Sequence, residues 1–161
     1  MNLRIGSKND LEFAKEMLYE AFFWDSKMER PNFNEFFQIP EINKLLANWG
    51  KIGDKLLIAE NDKENIGVAW YRLWTKENPS YGFVDAETPE LGIGIREEHR
   101  SQGIGRRLLN QLIEIAKKNG FKALSLSVDP GNFARYLYES EGFEKVGESG
   151  TSWTYKLELI Q

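Results

Sequence analysis

The stretch Arg100-Ser101-Gln102-Gly103-Ile104-Gly105-Arg106 decides how this sequence is interpreted. An apolar segment with alternating glycines, Glu90-Leu91-Gly92-Ile93-Gly94-Ile95, precedes it, and apolar residues recur at helical spacing after it, over residues 106–119. This order predicts a strand, a glycine turn and a helix. Glycines at the start of a helix leave backbone N–H groups exposed, and these donors together with the helix dipole attract phosphate groups. The turn is therefore a candidate site for a phosphate or pyrophosphate.

The turn lacks the common nucleotide-binding motifs. No Gly-x-x-x-x-Gly-Lys occurs, and a dinucleotide fingerprint would need a third glycine where Leu108 stands. ATP and nicotinamide dinucleotides are therefore disfavoured as ligands. Two glycines before a helix can also do no more than shape a turn, and the spacing alone leaves both interpretations open.

The pattern on either side of the turn predicts strands and helices that alternate within one mixed α/β fold. Residues 61–64 and the glycine after residue 119 have the composition of turns. We expect strands at 3–5, 55–60, 65–74, 90–95, 123–128, 143–146 and 153–159, and helices from about residue 7 to 21 and at 42–48, 106–119 and 132–141.

The composition indicates one ordinary globular domain over residues 1–161. The 21 Lys and Arg against 25 Asp and Glu give a net charge of −4, which disfavours nucleic acid as a partner. The absence of cysteine excludes disulfides and cysteine nucleophiles, and His99 is the only histidine, so we expect no metal. The N-terminus is not apolar and no apolar run approaches the ~18 residues that span a bilayer, so we expect a cytoplasmic protein without a membrane partner.

Two motifs together resemble the GNAT superfamily of acyl-CoA-dependent N-acetyltransferases. Arg100-x-x-Gly103-x-Gly105 matches the family signature Arg/Gln-x-x-Gly-x-Gly/Ala, and the segment from Asn132 to Phe143, with its Leu-Tyr-Glu and Gly-Phe, is similar to the second family motif. The resemblance implies a central mixed, mostly antiparallel twisted sheet of roughly six to seven strands flanked by about four helices. It also implies acetyl-CoA as the cosubstrate.

The resemblance assigns coenzyme-binding roles to three parts of the chain. The glycine strand would pair its backbone with the pantetheine arm, although its glycines also suit a buried strand with a bulge. The turn would hold the pyrophosphate, and Asn132 would meet the pantetheine, although Asn132 also suits the N-cap of its helix. The residues assigned to the coenzyme are Ile93, Gly94, Ile95, Arg100, Ser101, Gln102, Gly103, Ile104, Gly105, Arg106 and Asn132.

Acetyl transfer to an amine needs a neutral nucleophile and a proton for the departing thiolate. Tyr138 stands where the family keeps its general acid, although a tyrosine here can also be a core residue. Glu90 is the candidate general base acting through water, and a solvated charge at the strand end is the alternative; Asp85, Glu87 and Asp129 are weaker candidates. Some relatives use water alone.

The resemblance implies an enzyme that moves an acetyl group from acetyl-CoA directly to a primary amine through a ternary complex. We expect a small-molecule acceptor and allow for a homodimer. Two alternatives remain: acetylation of a protein N-terminus or lysine, and a non-catalytic acyl-CoA-binding module.

Overall fold

The computed structural model describes residues 1–159 of the chain. Within this range the apolar segments of the sequence form seven strands and five α-helices. Short 3₁₀ turns at Lys8–Asp10 and Glu97–His99 precede α1 and the glycine turn. The elements are β1 (Asn2–Ile5), α1 (Leu11–Phe22), α2 (Phe33–Phe36), α3 (Pro40–Asn43), β2 (Lys55–Asn61), β3 (Glu64–Arg72), β4 (Glu90–Ile95), α4 (Ile104–Lys118), β5 (Ala123–Val128), α5 (Ala134–Ser140), β6 (Glu144–Ser149) and β7 (Ser152–Glu158).

The strands form one sheet in the order β1-β2-β3-β4-β5-β7-β6. β1 pairs antiparallel with β2, and β7 pairs antiparallel with both β5 and β6. β4 pairs with β5 in parallel, with Glu90 opposite Ser125. Asp62 and Lys63 both have positive φ in the two-residue turn between β2 and β3, as a type I′ hairpin requires. The predicted mixed sheet is thereby confirmed at its full count of seven strands, with five helices rather than about four.

The prediction of a helix over residues 42–48 was wrong. The α-helix there is α3, Pro40–Asn43, and hydrogen-bonded turns follow it up to Asn48, which adopts a left-handed φ of 53°. Pro40 occupies the first helical turn, where its missing N–H costs nothing, and so moves the start towards the N-terminus. The sequence pattern also missed α2, which begins where the side chain of Asn32 accepts from the amide of Glu35 at 2.8 Å.

One compact unit comprises Met1–Trp70 and Ile93–Leu109. Its core lies where the apolar face of α1, the short helices α2 and α3 and the strands β2 and β3 bury their side chains together. Arg4 of β1 forms a two-bond ion pair with the buried Asp10, at 2.8 and 3.0 Å. The core residues are Phe13, Ala14, Met17, Leu18, Phe36, Ile42, Leu46, Trp49, Leu56, Ile58, Val68 and Trp70.

The second compact unit comprises Tyr71–Gly92 and the chain from Asn110 onward. β5 lies beside β7, with Leu126 opposite Tyr155, and both side chains are buried. Tyr71 is also fully buried, and its hydroxyl accepts a hydrogen bond from Nδ2 of Asn119 at 3.0 Å. The expectation of a single domain over residues 1–161 stays a prediction, and it includes Ile160 and Gln161, which lie outside the described residues.

No helix within residues 1–159 is long and apolar enough to cross a membrane.

Candidate active site

The turn before α4 contains two residues in the left-handed conformation. Ser101 has a φ of 63° and Gly103 a φ of 81°. Glycine adopts this conformation readily, whereas a residue with a side chain is strained there. Ser101, Gln102 and Gly103 are exposed, and a Cβ added at Gly103 would meet no atom within 4 Å. The space in front of Gly103 is therefore open to a ligand.

Helix α4 begins directly after this turn. The amide of Arg107 donates to the carbonyl of Gly103 at 3.1 Å, which starts the helical hydrogen-bond ladder. The backbone N–H groups of Ile104, Gly105 and Arg106 come before that first bond, at the positive end of the helix. The side chains of Arg106 and Arg107 are exposed beside them. These donors and charges fit the phosphate groups of a coenzyme such as acetyl-CoA.

Arg100 connects the start of the turn to the end of β4. Its Nε donates a long hydrogen bond of 3.3 Å to the carbonyl of Ile95. Ile93 and Ile95 are half-buried at the C-terminal end of this strand.

Gly94 of β4 is packed against helix α1. A Cβ added at Gly94 would stand 2.7 Å from Cβ of Met17 and 2.9 Å from its carbonyl oxygen. Real Cβ atoms do not approach other heavy atoms so closely, and the Met17 atoms nearest to Gly94 are its backbone and Cβ. Helix packing alone therefore requires a glycine at this position, while a role for Gly94 in coenzyme binding stays a prediction.

Tyr138 of α5 is buried, with only 7% of its surface exposed. Its ring packs edge-on against Phe143, with a centroid distance of 5.8 Å. Burial raises the pKa of Tyr138 to about 12. No hydrogen bond joins its hydroxyl to another residue of the range 1–159. The phenol thus keeps its proton at neutral pH.

Asn132 precedes α5, and its side chain serves the local backbone. Its Oδ1 accepts from the amide of Ala134 at 2.9 Å, and its carbonyl accepts from the amide of Arg135 at 3.1 Å. The N-cap of α5 is Phe133, which makes no side-chain capping bond, so Asn132 forms a local turn one residue before the cap rather than the N-cap itself. Contact between Asn132 and the pantetheine arm stays a prediction.

Glu90 at the start of β4 uses both carboxylate oxygens in hydrogen bonds. Oε2 accepts from the hydroxyl of Ser80 and Oε1 accepts from the amide of Gly82, each at 3.0 Å. The side chain is half-buried rather than fully solvated. The loop that precedes β4 therefore binds the carboxylate of Glu90, and its assignment as a general base stays a prediction.

The other acidic candidates act as acceptors within turns. Oδ1 of Asp85 accepts from the amide of Glu87 and from the hydroxyl of Thr88, both at 2.9 Å. Oδ1 of Asp129 accepts from the amide of Gly131 at 2.8 Å. These hydrogen bonds show that the carboxylates of Asp85 and Asp129 stabilise the loops in which they lie.

Sequence reasoning missed the two partners of Glu90. Ser80 and Gly82 follow Pro79 in a stretch whose composition indicates only a turn. Their contact with the carboxylate depends on how the loop folds back onto the strands, and no local periodicity reports that. The burial of Ser80, which shows that the loop folds back, is visible only in the structure.

Comparison with known proteins places these features in a family. The description "Acetyltransferase (GNAT) family" matches residues 15–143, and the chain belongs to this family. A Pseudomonas aeruginosa L-methionine sulfoximine/L-methionine sulfone acetyltransferase is 33% identical over 98 residues, which cover 60% of this chain and 54% of that protein. A Haemophilus influenzae [ribosomal protein bS18]-alanine N-acetyltransferase is 34% identical over 90 residues, covering 52% of this chain and 62% of that protein. The chain thus spans about half the length of the first of these relatives.

Solved structures share the fold. The structure of yncA from Salmonella typhimurium, solved with its cofactor acetyl-CoA, has a TM-score of 0.68 at 20% identity and covers 99% of this chain and 94% of that one. Within residues 1–159 no group of three or more His, Cys, Asp or Glu side chains could hold a metal ion.

Proposed function

We propose that this chain is an N-acetyltransferase that moves an acetyl group from acetyl-CoA directly to a primary amine of a small molecule, through a ternary complex. One observation carries the proposal: in a chain of this family, the left-handed turn at Ser101 and Gly103 stands open directly ahead of α4. Backbone donors at a helix start are suited to a pyrophosphate, and the exposed arginines beside them add charge.

Acetyl-CoA, when bound, supplies the acetyl group as an activated thioester. The turn from Arg100 to Arg106 holds the pyrophosphate, and the backbones of Ile93 and Ile95 pair with the pantetheine amides as an added strand would. Asn132 meets the pantetheine through its Nδ2, since its Oδ1 already accepts from Ala134.

Tyr138 protonates the sulfur as the C–S bond breaks. Its pKa of about 12 keeps the phenol protonated under physiological conditions. Proton transfer from such a phenol to a free thiolate with a pKa of about 8.5 is uphill by about 5 kcal/mol. Burial of the sulfur beside Tyr138 reduces that gap, because desolvation also raises the proton affinity of a thiolate. Tyr138 regains its proton from solvent after the thiol leaves.

The amine must lose a proton before its nitrogen attacks the thioester carbonyl. A lysine-like amine has a pKa of about 10.4, so only a few molecules in about ten thousand are neutral at pH 7. Water accepts this proton while the C–N bond forms and the C–S bond breaks. The assignment of Glu90 as the base behind that water stays a prediction, and both of its oxygens also accept hydrogen bonds from the loop before β4.

Two relatives favour different acceptors. The sulfoximine and sulfone acetyltransferase acts on amino-acid analogues, which supports the small-molecule proposal. The ribosomal-protein-alanine N-acetyltransferase supports the alternative of a protein N-terminus. Cytoplasmic location and homodimerisation stay predictions.

Calorimetric titration with acetyl-CoA and CoA tests the coenzyme assignment, and thiol release with an amine panel tests the reaction. The panel contains L-methionine sulfone, L-methionine sulfoximine, spermidine and a short peptide that begins with alanine. Binding with thiol release for an amino-acid analogue or spermidine supports the proposal, whereas release for the peptide alone supports the protein-acceptor alternative. Binding without release for any amine of the panel counts against these acceptors and leaves the acyl-CoA-binding module as the alternative, and absence of binding overturns the coenzyme site.

A further inference from the structure

The loop between β3 and β4 is tied to β4 by a single carboxylate. Glu90 accepts from Ser80 and Gly82, one on each oxygen and both at 3.0 Å. Ser80 is only 9% exposed, so its hydroxyl depends on this bond for a partner. The amide of Phe83 closes the turn by donating to the carbonyl of Ser80 at 3.3 Å.

The same loop also lies flat on β5. A Cβ added at Gly82 would stand 2.6 Å from the carbonyl carbon of Leu126 and 2.8 Å from the amide nitrogen of Ser127. These are backbone atoms in the middle of a strand, so they cannot move aside as a flexible side chain could. Gly82 therefore marks a close approach of two backbones, and Glu90 holds the loop there.

This anchored segment presents an aromatic side chain. Tyr81 stands between Ser80 and Gly82, both fixed by Glu90, and 37% of its surface is exposed. Glu90 itself sits opposite Ser125, where β4 meets β5. A ring whose backbone is fixed on both sides costs less backbone entropy when it contacts a ligand.

We propose that Glu90 is a positioning residue rather than the general base, and that it holds the Ser80–Gly82 segment so that Tyr81 contacts the apolar part of the acceptor amine. The proposal rests on the acetyltransferase function proposed above. It assigns acceptor recognition to this loop. It also leaves proton removal from the amine to water.

Substitutions at Glu90 separate the two roles. In Glu90→Gln the amide oxygen still accepts from Gly82 and the amide nitrogen can donate to the Ser80 hydroxyl, so the loop stays anchored while basicity is lost. Glu90→Ala removes both bonds. Ser80→Ala removes one bond and leaves the carboxylate in place, which keeps the test usable if Glu90→Ala fails to fold. Glu77→Gln removes an exposed carboxylate from the same loop and serves as the matched control.

The first readout is hydrogen exchange at the Gly82 amide, measured by NMR, and it requires no activity. We expect exchange more than tenfold faster in Glu90→Ala than in wild type, and near wild-type exchange in Glu90→Gln and Glu77→Gln. Unchanged exchange in Glu90→Ala would overturn the anchoring role whatever the protein catalyses.

The second readout is steady-state kinetics with the best amine of the panel above. We expect Glu90→Ala, Ser80→Ala and Tyr81→Ala each to raise the acceptor KM by more than fivefold with the acetyl-CoA KM unchanged, and Glu90→Gln to restore it. Glu90 would be identified as the base instead if kcat fell as much in Glu90→Gln as in Glu90→Ala and the acidic limb of the pH profile of kcat disappeared. Absence of turnover in the wild type would count against the proposed function, and the exchange result would still decide whether Glu90 anchors the loop.

Discussion

Gly94 of β4 lies so close to Met17 of α1 that a Cβ at position 94 would stand 2.7 Å from the Cβ of Met17. The atoms that block it belong to the helix backbone and its first side-chain carbon, so no change of rotamer relieves the contact. Substitution Gly94→Ala must therefore move α1 or β4. We expect a loss of about 1–3 kcal/mol of unfolding free energy, the usual cost of overpacking, measured by urea denaturation.

Gly147 of β6 is the matched control for Gly94. It also lies in a strand, but a Cβ added there meets nothing within 4 Å. Gly147→Ala should leave the unfolding free energy within about 0.5 kcal/mol of wild type. If Gly94→Ala changed the unfolding free energy as little as Gly147→Ala and weakened only acetyl-CoA binding, the glycine at position 94 would be required by the coenzyme and not by α1.

The turn glycine Gly103 can be tested against a second glycine of the same geometry. Gly103 has a φ of 81° and Gly120, after α4, a φ of 85°, and neither would bring an added Cβ within 4 Å of another atom. Alanine at either position should lose about 1–2 kcal/mol of stability from the left-handed backbone alone. Only Gly103→Ala should also raise the Kd for acetyl-CoA, by more than tenfold, in calorimetric titration. Equal affinity in the two variants would mean that the turn at Gly103 does not bind the coenzyme.

Much of the fold could be predicted because its longer strands and helices show local hydrophobic patterns in the sequence. The strand, the turn and the helix around Gly103 follow from the apolar periodicity and from the positions of the glycines. Helix α4 was predicted to start at residue 106 and starts at Ile104. The turn Asp62-Lys63 likewise follows from polar residues between two apolar runs. The short helices α2 and α3 could not be predicted in the same way, because each is a single turn that depends on the Asn32 cap or on Pro40 rather than on periodicity.

The reasons behind individual site residues could not be predicted, since they depend on contacts between distant parts of the chain. A glycine within a strand indicates a bulge or a close approach by a ligand or by another backbone, and at Gly94 only the structure shows that the nearest backbone is that of helix α1. Glu90 was assigned from its residue type and place, but its partners Ser80 and Gly82 come from a loop with no periodic pattern. Motifs thus located the candidate site, and tertiary packing decided what each residue contacts.

The ion pair of Arg4 with Asp10 should make stability depend on acid pH. Hydrogen bonds from Arg4 hold the pKa of the Asp10 carboxyl below its ordinary value, although burial opposes this. The charged carboxylate therefore stabilises the fold above about pH 4, and that stabilisation is lost as the pH falls through the lowered pKa. Asp10 is buried while Arg4 is a third exposed, so we expect Asp10→Asn to lose about 2 kcal/mol at pH 7, between the values for surface and buried pairs.

Denaturation of wild type and Asp10→Asn at pH 7 and at pH 2.5 checks this prediction. The difference between the two proteins should shrink at the lower pH, because both then approach a neutral group at position 10. Asp62→Asn, an exposed residue of the β2–β3 turn, should show no such change. If the difference in unfolding free energy between the two proteins stayed constant with pH, the charge of Asp10 would contribute nothing to stability and only its hydrogen-bond geometry would matter.

The hydroxyl of Tyr138 should matter for turnover and little for coenzyme affinity. Tyr138→Phe keeps the ring against Phe143 and removes only the acidic proton, so we expect kcat to fall by about 100-fold or more, the usual contribution of a general acid, with the acetyl-CoA Kd within about twofold of wild type. Tyr71→Phe is the control, because Tyr71 is another buried tyrosine whose hydroxyl is bound by Asn119. It should lose about 1 kcal/mol of stability with kcat preserved. Turnover that survives in Tyr138→Phe would remove Tyr138 from the mechanism and leave protonation of the sulfur to solvent.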